Sequence, residues 1–248
     1  MIGMALLTAL ARRERIPELM DDPALDPLEH RRALDGLATL NRFSGSASVL
    51  WKPLVAFARS RPGQTIRVLD VATGSGDVPI GLWQRAQRAG LPLVVEGCDI
   101  SPVAVSSAAR HAGEVGAAAK FFVHDAILDP LPTGFDIVTC SLFLHHLGDD
   151  NAVSLLRRMR EAAGSLVLVN DLARSKFNYL AVWFACHALS RSRVVRYDGP
   201  ASVRSAYAPR EALALAHQAG LSGARASRRF PCRYLLQWKN PEPRNAAT

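Results

Sequence analysis

The residues best suited to chemistry sit in one short turn, Asp70-Val71-Ala72-Thr73-Gly74-Ser75-Gly76-Asp77. It follows an apolar run and precedes a helical pattern. Two glycines let the backbone turn tightly and come close to a ligand. A dinucleotide fingerprint needs a third glycine, and that position is Pro79. Asp77 also falls where a pyrophosphate would seat, at the helix amino end. Two carboxylates around two glycines suit a nucleoside carrying positive charge and no phosphate. Further acids recur downstream, Asp99 in Cys98-Asp99-Ile100 and Asp125 in His124-Asp125-Ala126. A carboxylate about twenty residues past the turn can hold ribose hydroxyls, and the next one can accept from an adenine amino group. His145 and His146 are candidate general bases, because imidazole titrates near neutrality; His146 is the slightly preferred one. Asp171, after Asn170, can touch substrate or pair with Arg174.

These residues need strands that end together. Arg67–Ala72, Leu93–Cys98, Lys120–His124, Phe135–Cys140 and Ser165–Asn170 read as short buried strands. Helical patterns at Val78–Ala89, Pro102–Val115 and Asn151–Ala162 separate them, the last closed by Gly164. Such alternation predicts a doubly wound parallel sheet, with ligands at the carboxyl ends of its strands. Residues 3–60 read as helices broken by Pro17, Pro23 and Pro27, including Leu28–Leu40 and Val49–Arg59. Past residue 173 an aromatic helix, Phe177–Leu189, and a basic loop, Arg191–Arg204, interrupt the pattern, with Asp198 expected to pair with an arginine. A helix at Pro209–Ala219 and strands at Ala224–Phe230 and Arg233–Trp238 complete the chain. The expected division is an N-terminal helical segment, 1–65, and an α/β domain, 66–248, with an insertion at about 173–207.

The chain has 248 residues, 49% of them hydrophobic, enough for a sizeable core and too apolar for a disordered tail. Its four cysteines form no paired spacing, which argues for reduced thiols and a cytoplasmic setting, without structural zinc. No stretch reaches the roughly 18–20 apolar residues of a spanning helix, and the first ten residues lack the flanks of a secretory signal. Formal net charge is +8. It is concentrated in residues 174–248, where 13 basic groups face 3 acidic ones. That surface could meet an anionic acceptor, an anionic membrane or nucleic acid.

The motifs at 70–76, 99–101 and 124–126, with Phe135-Asp-Ile-Val-Thr-Cys-Ser-Leu-Phe-Leu-His-His146, resemble those of class I S-adenosylmethionine-dependent methyltransferases. The likeness is strong over about 66–172, and the nearest flavour is that of small-molecule, quinone- or polyketide-type enzymes. The resemblance implies a Rossmann-like seven-stranded sheet in the order 3-2-1-4-5-7-6, its last strand antiparallel. It implies S-adenosylmethionine as cofactor, near Asp70, Ala72, Thr73, Gly74, Gly76, Asp99, Ile100, Asp125, Ala126 and Ser141. It implies methyl transfer to a small aromatic or lipophilic acceptor, a phenol, quinol or polyketide, at oxygen rather than carbon. No metal is expected, because Cys140-Ser141 stand where magnesium-dependent relatives carry a carboxylate. In such a fold residues 1–65 are expected to act as a helical lid and the insertion at about 173–207 as a substrate cap, with the aromatic helix walling the acceptor pocket and Arg42 meeting the cofactor carboxylate. An RNA methyltransferase is the enzymatic alternative, weakened by the lack of a base-methylating motif or RNA-binding module. A non-catalytic S-adenosylmethionine-binding regulator is the other. A monomer or homodimer fits equally.

Overall fold

A computed structural model describes residues 10–22, 24–26, 28, 29, 32, 33 and 45–243. The expected helix at 28–40, most of the apolar amino end and Arg42 lie largely or wholly outside them. The first helix among the described elements that packs on the sheet is α1, Ser46–Arg59. Next come β1 (Ile66–Val71), α2 (Asp77–Arg88), β2 (Leu93–Asp99), α3 (Pro102–Glu114) and β3 (Ala119–Val123). Then follow β4 (Phe135–Ser141), a 3-10 turn at Leu144–His146, α4 (Asp149–Ala162) and β5 (Ala163–Leu172). The chain closes with α5 (Lys176–Leu189), α6 (Arg193–Ser205), α7 (Pro209–Gln218), β6 (Arg225–Arg229) and β7 (Arg233–Lys239).

The seven strands run in the order β3-β2-β1-β4-β5-β7-β6, as expected. β7 is antiparallel to β5 and β6, and the pairings among β1 to β5 are parallel. The central strands are apolar on both faces because helices cover both. Leu69, Val71, Val138, Val167 and Val169 belong to a core under α4 and α7, while Val68, Ile137 and Leu168 pack toward α1 and α2.

Three local expectations change. Residues 191–204 are a helix for most of their length, since α6 spans Arg193–Ser205 and Ser192 caps it by accepting from Val195 N. Its Val194, Val195, Ala201 and Val203 are buried, and that burial outweighs the breaking tendency of Gly199-Pro200. Gly199 is needed there, because an added Cβ would collide with Cys186 Sγ of α5. Gly164 lies within β5 and does not close α4, which runs directly into the strand. Residues 10–18 are a non-helical strap, ending in the 3-10 turn Leu19–Asp21. Asp198, buried, accepts from the backbone N–H groups of Leu19 (2.7 Å) and Met20 (3.1 Å), so it secures the strap.

Candidate functional site

The carboxyl ends of β1, β2 and β4 meet at one edge. Asp70, 1% exposed, accepts from Thr73 Oγ1 (3.0 Å) and from Thr139 Oγ1 of β4 (2.6 Å). Burial pushes its carboxyl up to about 7, and the two threonines only partly offset that. Thr73 N donates to Cys98 O (3.0 Å), and Gly74 N donates to Asp99 Oδ2 (2.9 Å), so the turn is tied to the end of β2. Asp99 Oδ1 accepts from Ser101 N (3.0 Å). Each oxygen keeps a lone pair for a further donor. Gly97 must lack a side chain, because a Cβ there would lie 2.8 Å from both Thr73 Oγ1 and Phe121. Gly74, at φ +54°, has nothing within 4 Å of the place a Cβ would take. The floor of the turn is tight and its mouth is open, which fits a flat nucleoside resting against bare backbone.

Ala72, at φ +54°, occupies a left-handed conformation that costs a residue with a Cβ about 1 kcal/mol. Leu142 (φ +55°) and Cys232 (φ +54°) do the same. All three lie at the carboxyl edge, the place where strain is most often retained for function. Asp125, after β3, accepts from Ile127 N (2.8 Å) and Leu128 N (3.0 Å) through Oδ1. It therefore shapes the turn beside buried Ala126. Ile100 is 64% exposed at the rim, and Ser141 Oγ accepts from Asn170 Nδ2 at 3.4 Å. Asp77 is exposed at the start of α2, 3.6 Å from His111 Nδ1.

The second half of the site lies in the turn after β4 and at the end of β5. His145 is buried in the 3-10 turn, its Nδ1 2.7 Å from Asp171 Oδ1, and its backbone N–H donates to Asp171 Oδ2 (3.0 Å). Asp171 thus pairs with His145, not with Arg174, whose guanidinium binds Glu211 (2.6 and 2.8 Å) and the carbonyl of Ala206. Burial lowers the affinity of His145 for a proton, but the charge and hydrogen bond of Asp171 outweigh it and the net shift is upward. Burial likewise opposes the charge of Asp171, yet His145 holds that carboxyl below its usual range. His146, ring to ring 4.2 Å from His145, goes the other way: burial, then the neighbouring imidazole, bring it down to about 4.

Sequence reasoning missed the strap. Arg13 donates to the carbonyls of His145 (2.9 Å), Leu147 (2.6 Å) and Ser205 (2.6 Å) and lies 3.7 Å over the Tyr207 ring. The strap also carries Glu18, whose Oε1 comes within 3.8 Å of His145 Nε2 and accepts from Ser202. Ligand atoms of Glu18, His145 and His146 lie within 4.8 Å of one another, so the trio is also a conceivable metal set. Nothing in local sequence joins residues so far apart. The one signal available was the cluster Arg12, Arg13, Arg15 next to Glu14 and Glu18 in an otherwise apolar stretch. A separate concavity of about 540 Å³, lined by Lys52, Arg61, Ser165 and Lys239 among others, lies at the opposite edge of the sheet and holds none of these groups.

Residues 68–164 match the family described as methyltransferase domain. Over 105 residues the chain is 35% identical to a demethylmenaquinone methyltransferase of Thermus thermophilus, covering 42% of this chain and 46% of that protein. It is 34% identical to a protein of the same name from Deinococcus radiodurans, covering 42% of each. The matched segment thus spans less than half the length of either relative. Among solved structures, the plantazolicin methyltransferase BamL, in complex with a substrate analogue and S-adenosylhomocysteine, superposes with a TM-score of 0.66 at 16% identity. That superposition covers 99% of this chain and 100% of BamL, a likeness of fold. The magnesium protoporphyrin IX methyltransferase of Synechocystis gives 0.57 at 17% identity, covering 96% and 94%. The family match covers residues 68–164, and the strand order gives the whole sheet the Rossmann-like fold of class I S-adenosylmethionine-dependent methyltransferases.

Proposed function

We propose that this protein transfers a methyl group from S-adenosylmethionine to a hydroxyl of a small lipophilic aromatic molecule, a phenol, quinol or polyketide-like acceptor. The cofactor, when bound, supplies a methyl already activated on a sulfonium sulphur. The chain supplies position and a proton acceptor. Asp99 accepts from the ribose hydroxyls, and the bare backbone at Gly74 lets the nucleoside lie close, while Gly76 lets the turn pack against Ala108 and Phe121. Asp70 sets negative potential beneath the positive ligand, and Asp125 and Ala126 border the base. Alignment of this kind supplies a large part of the rate.

The observation that carries the catalytic reading is the buried His145–Asp171 pair, 2.7 Å apart, which joins the turn after β4 to the end of β5. Asp171 holds the Nδ1 proton and so leaves Nε2 as the lone pair. His145 Nε2 takes the acceptor's proton as its oxygen takes the methyl, and Glu18 steadies the imidazolium formed. This assigns the base to His145 in preference to His146, which at about 4 is too weak a base. The same trio handles protons without a metal: Ser202 and Asp171 already engage Glu18 and His145, and positive Arg13 and Arg15 sit close by. The names of the relatives, acting on a demethylmenaquinone and on plantazolicin, support a small-molecule acceptor.

The test is formation of S-adenosylhomocysteine with a panel of phenols, quinols and short RNA. Turnover is expected with phenolic or quinol members, is retained in EDTA, and is lost in His145→Ala. Methylation of RNA alone, or loss of turnover on chelation with recovery on zinc, would overturn this reading.

A further inference from the structure

Helix α5 is apolar on two sides. Its inner side packs on α6 and the strap, with Cys186 buried and Val182 over the cluster of Ala33, Val194 and Val195. Its outer side leaves Phe177 (74% exposed), Leu180, Trp183, Phe184 (63% exposed) and Leu189 in solvent. Positions 177, 180, 184 and their neighbours recur at helical spacing and therefore form one continuous stripe. Trp183 stacks on His187 at 4.1 Å and meets Phe184 edge-on at 5.0 Å, so the stripe is a packed aromatic surface. Apolar side chains grouped like this mark a contact surface.

Charge defines the kind of contact. From Leu172 to Tyr197 there is no Asp or Glu, but there are Arg174, Lys176, Arg191, Arg193 and Arg196. Arg174 is buried on Glu211. Lys176 and Arg191 are exposed at the two ends of α5, and Arg193, exposed, starts α6 beside Glu29. Phe230, 92% exposed, sits in the β6–β7 turn with Arg228 and Arg229 just before it. Ala173 N donates to Cys232 O at 2.9 Å, so this turn lies next to the segment leading into α5, at the carboxyl edge. No described helix is long and apolar enough to cross a membrane.

We propose that the outer face of α5, with Phe230 beside it, docks in the interfacial layer of an anionic lipid bilayer. An apolar stripe bracketed by cations is the pattern of an in-plane interfacial helix, its aromatics at the acyl boundary and its basic groups on lipid phosphates. A second copy of the chain fits poorly, because a two-fold contact would bring the same cations face to face. The inference goes beyond the methyltransferase reading and adds a route by which a lipid-dissolved acceptor reaches the carboxyl edge.

The test is co-sedimentation of the full chain with phosphatidylcholine vesicles, with and without about a third phosphatidylglycerol, which needs neither cofactor nor acceptor and so stands apart from methyl transfer. Binding to the anionic vesicles is expected to exceed binding to neutral ones by at least about tenfold and to weaken with salt. Phe177→Ser with Phe184→Ser is expected to cut it by about tenfold or more with circular dichroism unchanged, since both rings are already in solvent. Arg191→Glu with Arg193→Glu is expected to remove the preference for anionic lipid. Equal binding to both vesicle types, equal binding by the phenylalanine variant, or concentration-dependent self-association that this variant abolishes would each overturn the proposal.

Discussion

Asp70→Asn isolates a single buried charge. The carboxyl sits at the end of β1 with only two threonine hydroxyls for company, and burial raises it from 3.8 to about 7. Folding therefore favours its protonated form. The contribution is complete below about pH 4 and drains away as pH rises to about 7, for a total of about 4 kcal/mol. Between about pH 5 and pH 8 the loss is about 3 kcal/mol. Asparagine fits the same site: its carbonyl accepts from Thr73. Its amide donates to Thr139 Oγ1, whose own proton can turn to Leu69 O, 3.4 Å away. The variant thus keeps the hydrogen bonds and loses the titration. Urea unfolding of both proteins across this range is the assay, and the comparison cancels Asp171 and Glu211, whose lowered values act in the opposite sense. The stability of Asp70→Asn relative to the native protein should climb by about 3 kcal/mol from about pH 5 to pH 8. A difference independent of pH, or one that shrinks as pH rises, would refute the argument that this charge is buried without compensation. At neutral pH the same substitution should weaken cofactor binding, since it removes negative charge beneath a cationic ligand.

Turnover should rise with pH through the raised value of His145, above its ordinary 6.5, because the proposed proton acceptor is the neutral imidazole. Asp171→Asn should lower kcat and move that inflection to lower pH, while His146→Ala should leave the inflection in place; pH–rate profiles decide. The stability contribution of His145 is present below about pH 6.5 and lost as pH rises through its folded value, whereas that of Asp171 is lost as pH falls through its lowered one. Arg13→Ala removes three carbonyl contacts and the stack on Tyr207. It should cost about 1–3 kcal/mol in urea unfolding and lower kcat by loosening the turn that carries His145. Gly199→Ala puts a methyl onto Cys186 and should cost about 1–3 kcal/mol of thermal stability, which Cys186→Ala in the same chain should partly restore.

The alternation of strands and helices was legible because the central strands are short, apolar and separated by helices with clear ends, such as Pro102 after the capping Ser101, whereas the strand order came from the family resemblance. The glycine turn and Asp99 were legible because their spacing is local. Helix α6 was not, because its helicity comes from burying Val194, Val195 and Val203 and from Gly199 fitting against another helix. Local propensity at Gly199-Pro200 points the other way. Arg13 and Glu18 were invisible for a similar reason: their partners lie more than a hundred residues away. Ala72 and Leu142 carry no side-chain signal of their left-handed backbone. Sequence leaves His145 and His146 nearly equivalent, and the 2.7 Å contact of Asp171 with His145, on which the proposed choice of base rests, is visible only in the fold.

Calorimetric titration of the purified chain with S-adenosylmethionine bears most directly on the ligand assigned to the carboxyl edge. One site per chain is expected, weakened by about tenfold or more in Asp99→Ala, in which the carboxylate for the ribose hydroxyls is gone. No binding, equal affinity in Asp99→Ala, or displacement by a nicotinamide dinucleotide would contradict the assignment.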